Sequence, residues 1–171
     1  DIDRLVPEAG LFDFVLADLG VSSMQIDNPE RGFTYKADGP LDLRLNPEKG
    51  ISAAERLKQM DMEEIAGMFA ENSDEPYAEE IAREIAKRKR KRQYIETTTE
   101  LKEVIEQVLS FIPEKERKEA VKKSCQRCFQ ALRIDVNEEF EVLDSFLSKL
   151  PGILAPGGSA ANLTFHSGED R

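Results

Sequence analysis

Two short polar clusters in this chain carry the residue types that chemistry needs. The first follows an apolar run. Phe14-Val-Leu-Ala17 leads into Asp18, and Ser22, Ser23 and Gln25 come soon after. The second follows Phe165 and reads His166-Ser167-Gly-Glu-Asp-Arg171. A carboxylate that ends an apolar run accepts hydrogen bonds from a ligand amine or hydroxyl. It caps a turn equally well, because Asp readily bonds its own downstream amides. Ser22 and Ser23 suit a turn as readily as a nucleophile, and no His–Asp pair is spaced to complete a triad with them. His166 is the single imidazole of the chain, and imidazole changes charge near neutral pH. Asp18, Ser22, Ser23 and His166 are therefore the candidate catalytic groups.

These clusters meet only if the elements before them run parallel. Continuous apolarity over 14–17 predicts a parallel strand covered on both faces. Leu154-Ala-Pro-Gly-Gly158 predicts a turn into a second strand, 159–165. A strand, crossover and second parallel strand would put both polar clusters at the carboxyl edge, where open α/β sheets bind ligands.

The intervening crossover is long. Residues 28–50 are broken by Pro29, Gly32, Gly39, Pro40, Pro47 and Gly50, and hold Arg31, Phe33, Asp42 and Arg44. A loop of this length in a compact domain is commonly functional. Helices follow. Ser52 with Glu55 and Thr97 with Glu100 have the capping-box spacing, and Asp61 is placed to cap a helix between them. Tyr77, Ile81 and Ile85 recur every four residues, and Leu101, Val104, Ile105, Val108 and Leu109 form one stripe before Pro113. Val136, Phe140, Leu143, Leu147 and Leu150 form another, which Pro151-Gly152 is expected to stop. The order strand, long loop, helices, strand makes an α/β chain that is mostly helix.

Composition narrows the function. Charged residues are 34% and hydrophobic residues 40% of 171. No stretch approaches the ~20 apolar residues of a membrane span, and the mixed, acidic opening Asp1-Ile-Asp-Arg4 does not resemble a secretory signal. A cytoplasmic location is expected. Cys125 and Cys128 supply at most two of the four ligands of a structural zinc, so reduced thiols and no metal are expected. The net charge of −10 argues against a general nucleic-acid coat. Charge is nevertheless patterned: Arg83 to Arg92 contains seven basic residues and one acid. Such a block contacts phosphates or complements the negative pole of a helix end. No G-x-G-x-x-G or Walker pattern is present.

The motifs become recognisable in series. Asp18-Leu-Gly-Val-Ser-Ser-Met-Gln-Ile-Asp27, Pro29-Glu-Arg-Gly-Phe33 and Asp38-Gly-Pro-Leu-Asp-Leu-Arg44 resemble the bacterial ribosomal RNA small-subunit methyltransferase H family. So do Ser52-Ala-Ala-Glu55, Phe129-Gln-Ala-Leu-Arg-Ile134 with Val136-Asn137, Leu154-Ala-Pro-Gly-Gly158 and Phe165-His-Ser167. They occur in the family's order along nearly the whole chain. Lys123-Ser-Cys-Gln-Arg-Cys128 and Gly168 depart from the family's pattern.

The resemblance implies an incomplete class I, Rossmann-like methyltransferase sheet from residues 1–30 and 151–171. It implies a mainly helical insert over 31–150, with a long leading loop and a return helix. The family's glycine-rich cofactor loop is expected upstream of Asp1, and its chain is expected to continue past Arg171. The implied activity is methyl transfer from S-adenosylmethionine to N4 of a cytidine in 16S ribosomal RNA. Asp18 and Gln25 are implied to contact the cofactor. Arg31, Phe33, Asp42, Arg44, Arg127, Arg133, Asn137 and Ser167 are candidates for the substrate RNA, with an internal ion pair as the alternative for each arginine. A non-catalytic RNA- or protein-binding remnant of the family is the other reading. A partial sheet also predicts an exposed edge and self-association.

Overall fold

A computed structural model describes residues 10–164. Its contacts divide the chain into two compact units, residues 1–20 with 138–171, and residues 21–137. His166 and Ser167 lie outside the described residues.

The first unit contains β1, Phe12–Asp18, and β2, Leu154–Leu163, paired in parallel as the crossover order requires. The helix before β2 spans Glu139–Ile153. Its Leu150 and Ile153 bury Val15 of β1, with Phe12, Phe146 and Leu154 packed around them. The expected cover on both faces of β1 is not found. Val15 is 6% exposed, whereas its neighbours Phe14 and Leu16 are 58% and 59% exposed. Side chains alternate across a strand, so a helix on one side buries only every second residue.

The expected turn at 154–158 is instead the irregular start of β2. Phe12 faces Leu154 and Phe14 faces Ser159, so two residues on β1 are matched by five on β2. Gly158 makes this possible, because a Cβ there would sit 3.0 Å from the Phe12 carbonyl and 2.9 Å from that of Ala155. Pro151 does not stop the preceding helix either. It falls in the last turn, where the helix has two residues left to run.

The second unit is helical. A one-turn helix α1, Ser23–Ile26, is followed by the loop, then α2, Ala53–Gln59, α3, Met62–Ser73, and α4, Ala78–Arg90. Next come α5, Thr98–Val108, and α6, Glu114–Asn137; the Glu139–Ile153 helix of the first unit is α7. Asp61 with Glu64 and Thr97 with Glu100 form complete capping boxes on α3 and α5. Ser52 caps α2 by accepting from the Glu55 N–H at 3.2 Å. Val136 belongs to α6 rather than to the stripe of α7, because Glu138 takes φ 50° and ends the helical run between them. The core is built from one face of each helix, including Phe69, Ile81, Leu101, Ile105, Cys125 and Leu132.

The 28–50 segment is irregular yet tightly laced. Leu41 and Leu43 are core residues. The Leu41 N–H donates to the Glu96 carbonyl at 2.9 Å, and the Thr98 N–H to that of Gly39 at 3.0 Å. Gly32 has φ 75°, and a Cβ there would collide with the Pro40 carbonyl. The backbone therefore folds back on itself where only glycine fits.

Candidate active site

In the first unit, the carboxyl ends of both strands lie side by side. Asp18 is in register with Leu163, and the Leu19 N–H donates to the Leu163 carbonyl at 3.1 Å. Asp18 is exposed and makes no hydrogen bond or ion pair among the described residues. A carboxylate at this position is suited to a ligand ammonium, amine or hydroxyl.

In the second unit, Ser22 and Gln25 form one local motif. Gln25 Oε1 accepts from the Ser22 N–H at 2.9 Å and from Ser22 Oγ at 3.3 Å. A Gln three residues into a helix reaches back to the capping residue in this way. Its Nε2 donors have no partner among the described residues. Ser23 opens the one-turn helix.

The same unit contains a groove of about 530 Å³ between the loop and α6. Phe33, Tyr35 and Lys36 line it from the loop, and Phe129, Gln130 and Arg133 from α6. Such a volume lies within the range of small-ligand sites. The Tyr35 and Phe129 rings meet at 5.4 Å. Burial pushes the Tyr35 hydroxyl above its ordinary pKa, and the nearby Cys125 and Glu119 groups add to the effect. The phenol therefore stays protonated at neutral pH. Aromatic faces, amides and cations in one groove are the chemistry that receives an unstacked nucleobase.

Several sequence candidates surround this groove as its supports. Arg31 Nη2 donates to the carbonyls of Arg44 and Leu45, both at 2.9 Å, with its guanidinium 5.8 Å from the Phe33 ring centre. Arg44 grips Asp42 through two hydrogen bonds of 2.7 and 2.8 Å. Burial opposes charge on Asp42, but the hydrogen bonds from Arg44 and the charges of Arg44 and Arg31 outweigh it. They hold the carboxyl below the usual aspartate range. Asn137 bonds the loop backbone at Leu43 and Leu45. Arg127 is half-buried on α6 and does not line the groove.

Sequence reasoning passed over Lys36, Gln126 and Gln130, all groove residues. The signal was present for two of them, because 126, 129, 130 and 133 share one face of a helix. Both cysteines are buried, and burial raises their pKa, that of Cys125 to about 12. Among the described residues no group of three His, Cys, Asp or Glu could hold a metal. No described helix is long and apolar enough to cross a membrane.

Residues 2–171 match the family model described as the MraW methylase family. The chain is 68% identical over 171 residues to Ribosomal RNA small subunit methyltransferase H 1 of Lachnoclostridium phytofermentans, covering all of this chain and 47% of that protein. It is 66% identical to the protein of the same name from Agathobacter rectalis, covering 99% of this chain and 49% of that one. It is 46% identical over 163 residues to Ribosomal RNA small subunit methyltransferase H of Thioalkalivibrio sulfidiphilus, covering 95% and 50%. The chain thus spans about half the length of the curated relatives it matches.

Proposed function

Because the chain belongs to the MraW methylase family, we propose that it forms part of an enzyme that methylates N4 of a cytidine in small-subunit ribosomal RNA. S-adenosylmethionine supplies the electrophilic methyl group when bound. The observation that carries this reading is the convergence of separate motifs. Phe33 comes from one, and Phe129, Gln130 and Arg133 from another nearly a hundred residues on, and all four line one groove with room for a nucleobase.

In this reading residues 1–30 and 151–171 form the methyltransferase part, and 31–150 the insert. Asp18 would accept from the ammonium or a hydroxyl of the cofactor, and Gln25 is proposed as a second cofactor contact. The amine of cytosine is a weak nucleophile, since its lone pair is delocalised into the ring. The protein's task is then to orient that amine and exclude misaligned encounters. The aromatic rings of the groove hold the base, while Gln126, Gln130 and Arg133 read its polar edge or the adjoining phosphate. Methyl transfer would form the N4–C bond as the sulfonium S–C bond breaks and leaves a neutral thioether, and N4 would lose a proton. His166 is the acceptor proposed for it, with Ser22 and Ser23 as hydrogen-bonding support. Work on ribosomal RNA implies a cytoplasmic setting.

Calorimetric titration of S-adenosylmethionine into the protein tests the cofactor half. Saturable binding is expected, and Asp18→Asn should weaken it by about tenfold or more, the scale of a lost charged hydrogen bond. Unchanged affinity in Asp18→Asn would remove Asp18 from the site.

A further inference from the structure

We propose that the carboxyl-terminal corner of α4 is a grip for the RNA phosphate backbone, separate in role from the base groove. This rests on the RNA-substrate reading above and adds a surface to it. Arg83, Lys87, Arg90 and Lys91 fall at i, i+4, i+7 and i+8, so they share one face of the helix and its cap. All four are exposed, as is Arg92 beyond them. The side chains of Arg83, Arg90, Lys91 and Arg92 have no hydrogen-bond or ion-pair partner among the described residues. Their concentration contrasts with a chain whose net charge is −10.

Lys87, Lys91 and Arg92 line a shallow basin of about 690 Å³, together with Gln93, Tyr94 and Gln107. Acids border it too, but most are engaged. Glu84 pairs with Lys87 and Arg88. Glu96 pairs with Lys58 at 2.7 Å. Glu100 accepts the Glu96 and Thr97 N–H groups as part of the α5 cap. Among the described residues, Glu103 is the one of these acids without such a partner.

The backbone at Arg92 provides a second, independent observation. The helix ends in a Schellman motif: the Gln93 N–H donates to the Arg88 carbonyl at 3.0 Å and the Arg92 N–H to that of Lys89 at 2.9 Å. Arg92 occupies the left-handed position of this motif with φ 60°. Glycine is the residue that position favours. The fold does not need a side chain there, and the arginine places one more cation at the corner. Neutralised phosphates release counterions without regard to base sequence, so the expected partner is a helical stem of RNA.

The test measures binding of a fluorescent small-subunit RNA stem across a salt series, using the protein and three variants. The first replaces Arg83, Arg90, Lys91 and Arg92 by Gln. Its plot of log affinity against log salt should be shallower by about 3.6, and its affinity near 0.1 M salt about tenfold or more weaker. Arg92→Gly should melt no lower than the wild type yet lose slope by about 0.9. A control replacing Lys115, Lys118, Lys122 and Lys123 by Gln removes the same charge elsewhere, and should keep the wild-type slope. Equal losses in the control and corner variants would overturn the assignment while leaving the RNA reading intact. Failure of the wild type to bind any RNA would overturn both.

Discussion

Asn137 holds Leu43 in a left-handed backbone conformation from 94 positions away. Its Nδ2 donates to the Leu43 carbonyl at 2.8 Å, while Leu43 has φ 64° and is 1% exposed. A leucine in that region costs about 1–2 kcal/mol and persists only if its surroundings dictate it. They do so here from both sides. The Leu43 N–H donates to the Arg31 carbonyl at 3.1 Å, and Asn137 Oδ1 accepts the Leu45 N–H at 2.7 Å. The wall of the groove is set by this clamp.

Asn137→Ala should therefore lower stability by about 1–3 kcal/mol, chiefly the cost of leaving the part-buried Leu43 carbonyl unpaired. The urea midpoint measures it. Amide exchange at Leu45 should also accelerate. A variant as stable as the parent, with Leu45 equally protected, would show that the loop holds its shape without Asn137.

Asp42 makes a pH prediction. Its folded pKa lies below the ordinary value of 3.8. The stabilisation is therefore complete above 3.8 and is lost as pH falls through the lower folded value. Asp42→Asn should be less stable than the parent by a constant amount above about pH 5, and the gap should close toward pH 2. A gap that widens on acidification would reverse the sign and contradict the Arg44 pairing as its source.

The buried cysteines should be inert while the protein is folded. The thiolate is the reactive form, and burial lifts Cys125 to about 12 and Cys128 above its usual value. A thiol reagent at pH 8 should label neither in buffer and both in concentrated urea. Rapid labelling of either in buffer would show that α6 is not packed as described.

The outer face of β1 exposes Phe14 and Leu16 while Val15 faces α7. Apolar neighbours of this kind favour association. Light scattering of the 171-residue chain should report self-association, reduced by Phe14→Lys with Leu16→Lys. A monomeric parent would remove this face as an association surface in the chain.

Much of this fold was legible because local chemistry decides it. Asp61 with Glu64 and Thr97 with Glu100 cap helices by short-range bonds, and the stripe from Leu101 to Leu109 has one way to be buried. The parallel pairing followed from the order of elements. What escaped depends on partners distant in sequence. The apolar run at Phe14-Val-Leu-Ala17 cannot reveal which of its faces a helix covers. Nor does Pro151 announce that its helix ends only two residues later. The roles of Arg31, Arg44 and Asn137 as braces depend on carbonyls and carboxylates aligned by the folded loop. Asp18 was legible as a strand end, and the groove only through the shared helical face of Phe129, Gln130 and Arg133.

The most direct measurement is transfer of isotopically labelled methyl from S-adenosylmethionine to small-subunit ribosomal RNA, followed by digestion and mass analysis of the nucleosides. The account predicts label on N4 of a cytidine, with kcat/KM reduced by about a hundredfold or more in Asp18→Asn, the scale of a lost preorganised polar contact. Label on another base or atom, or equal transfer by Asp18→Asn, would contradict it.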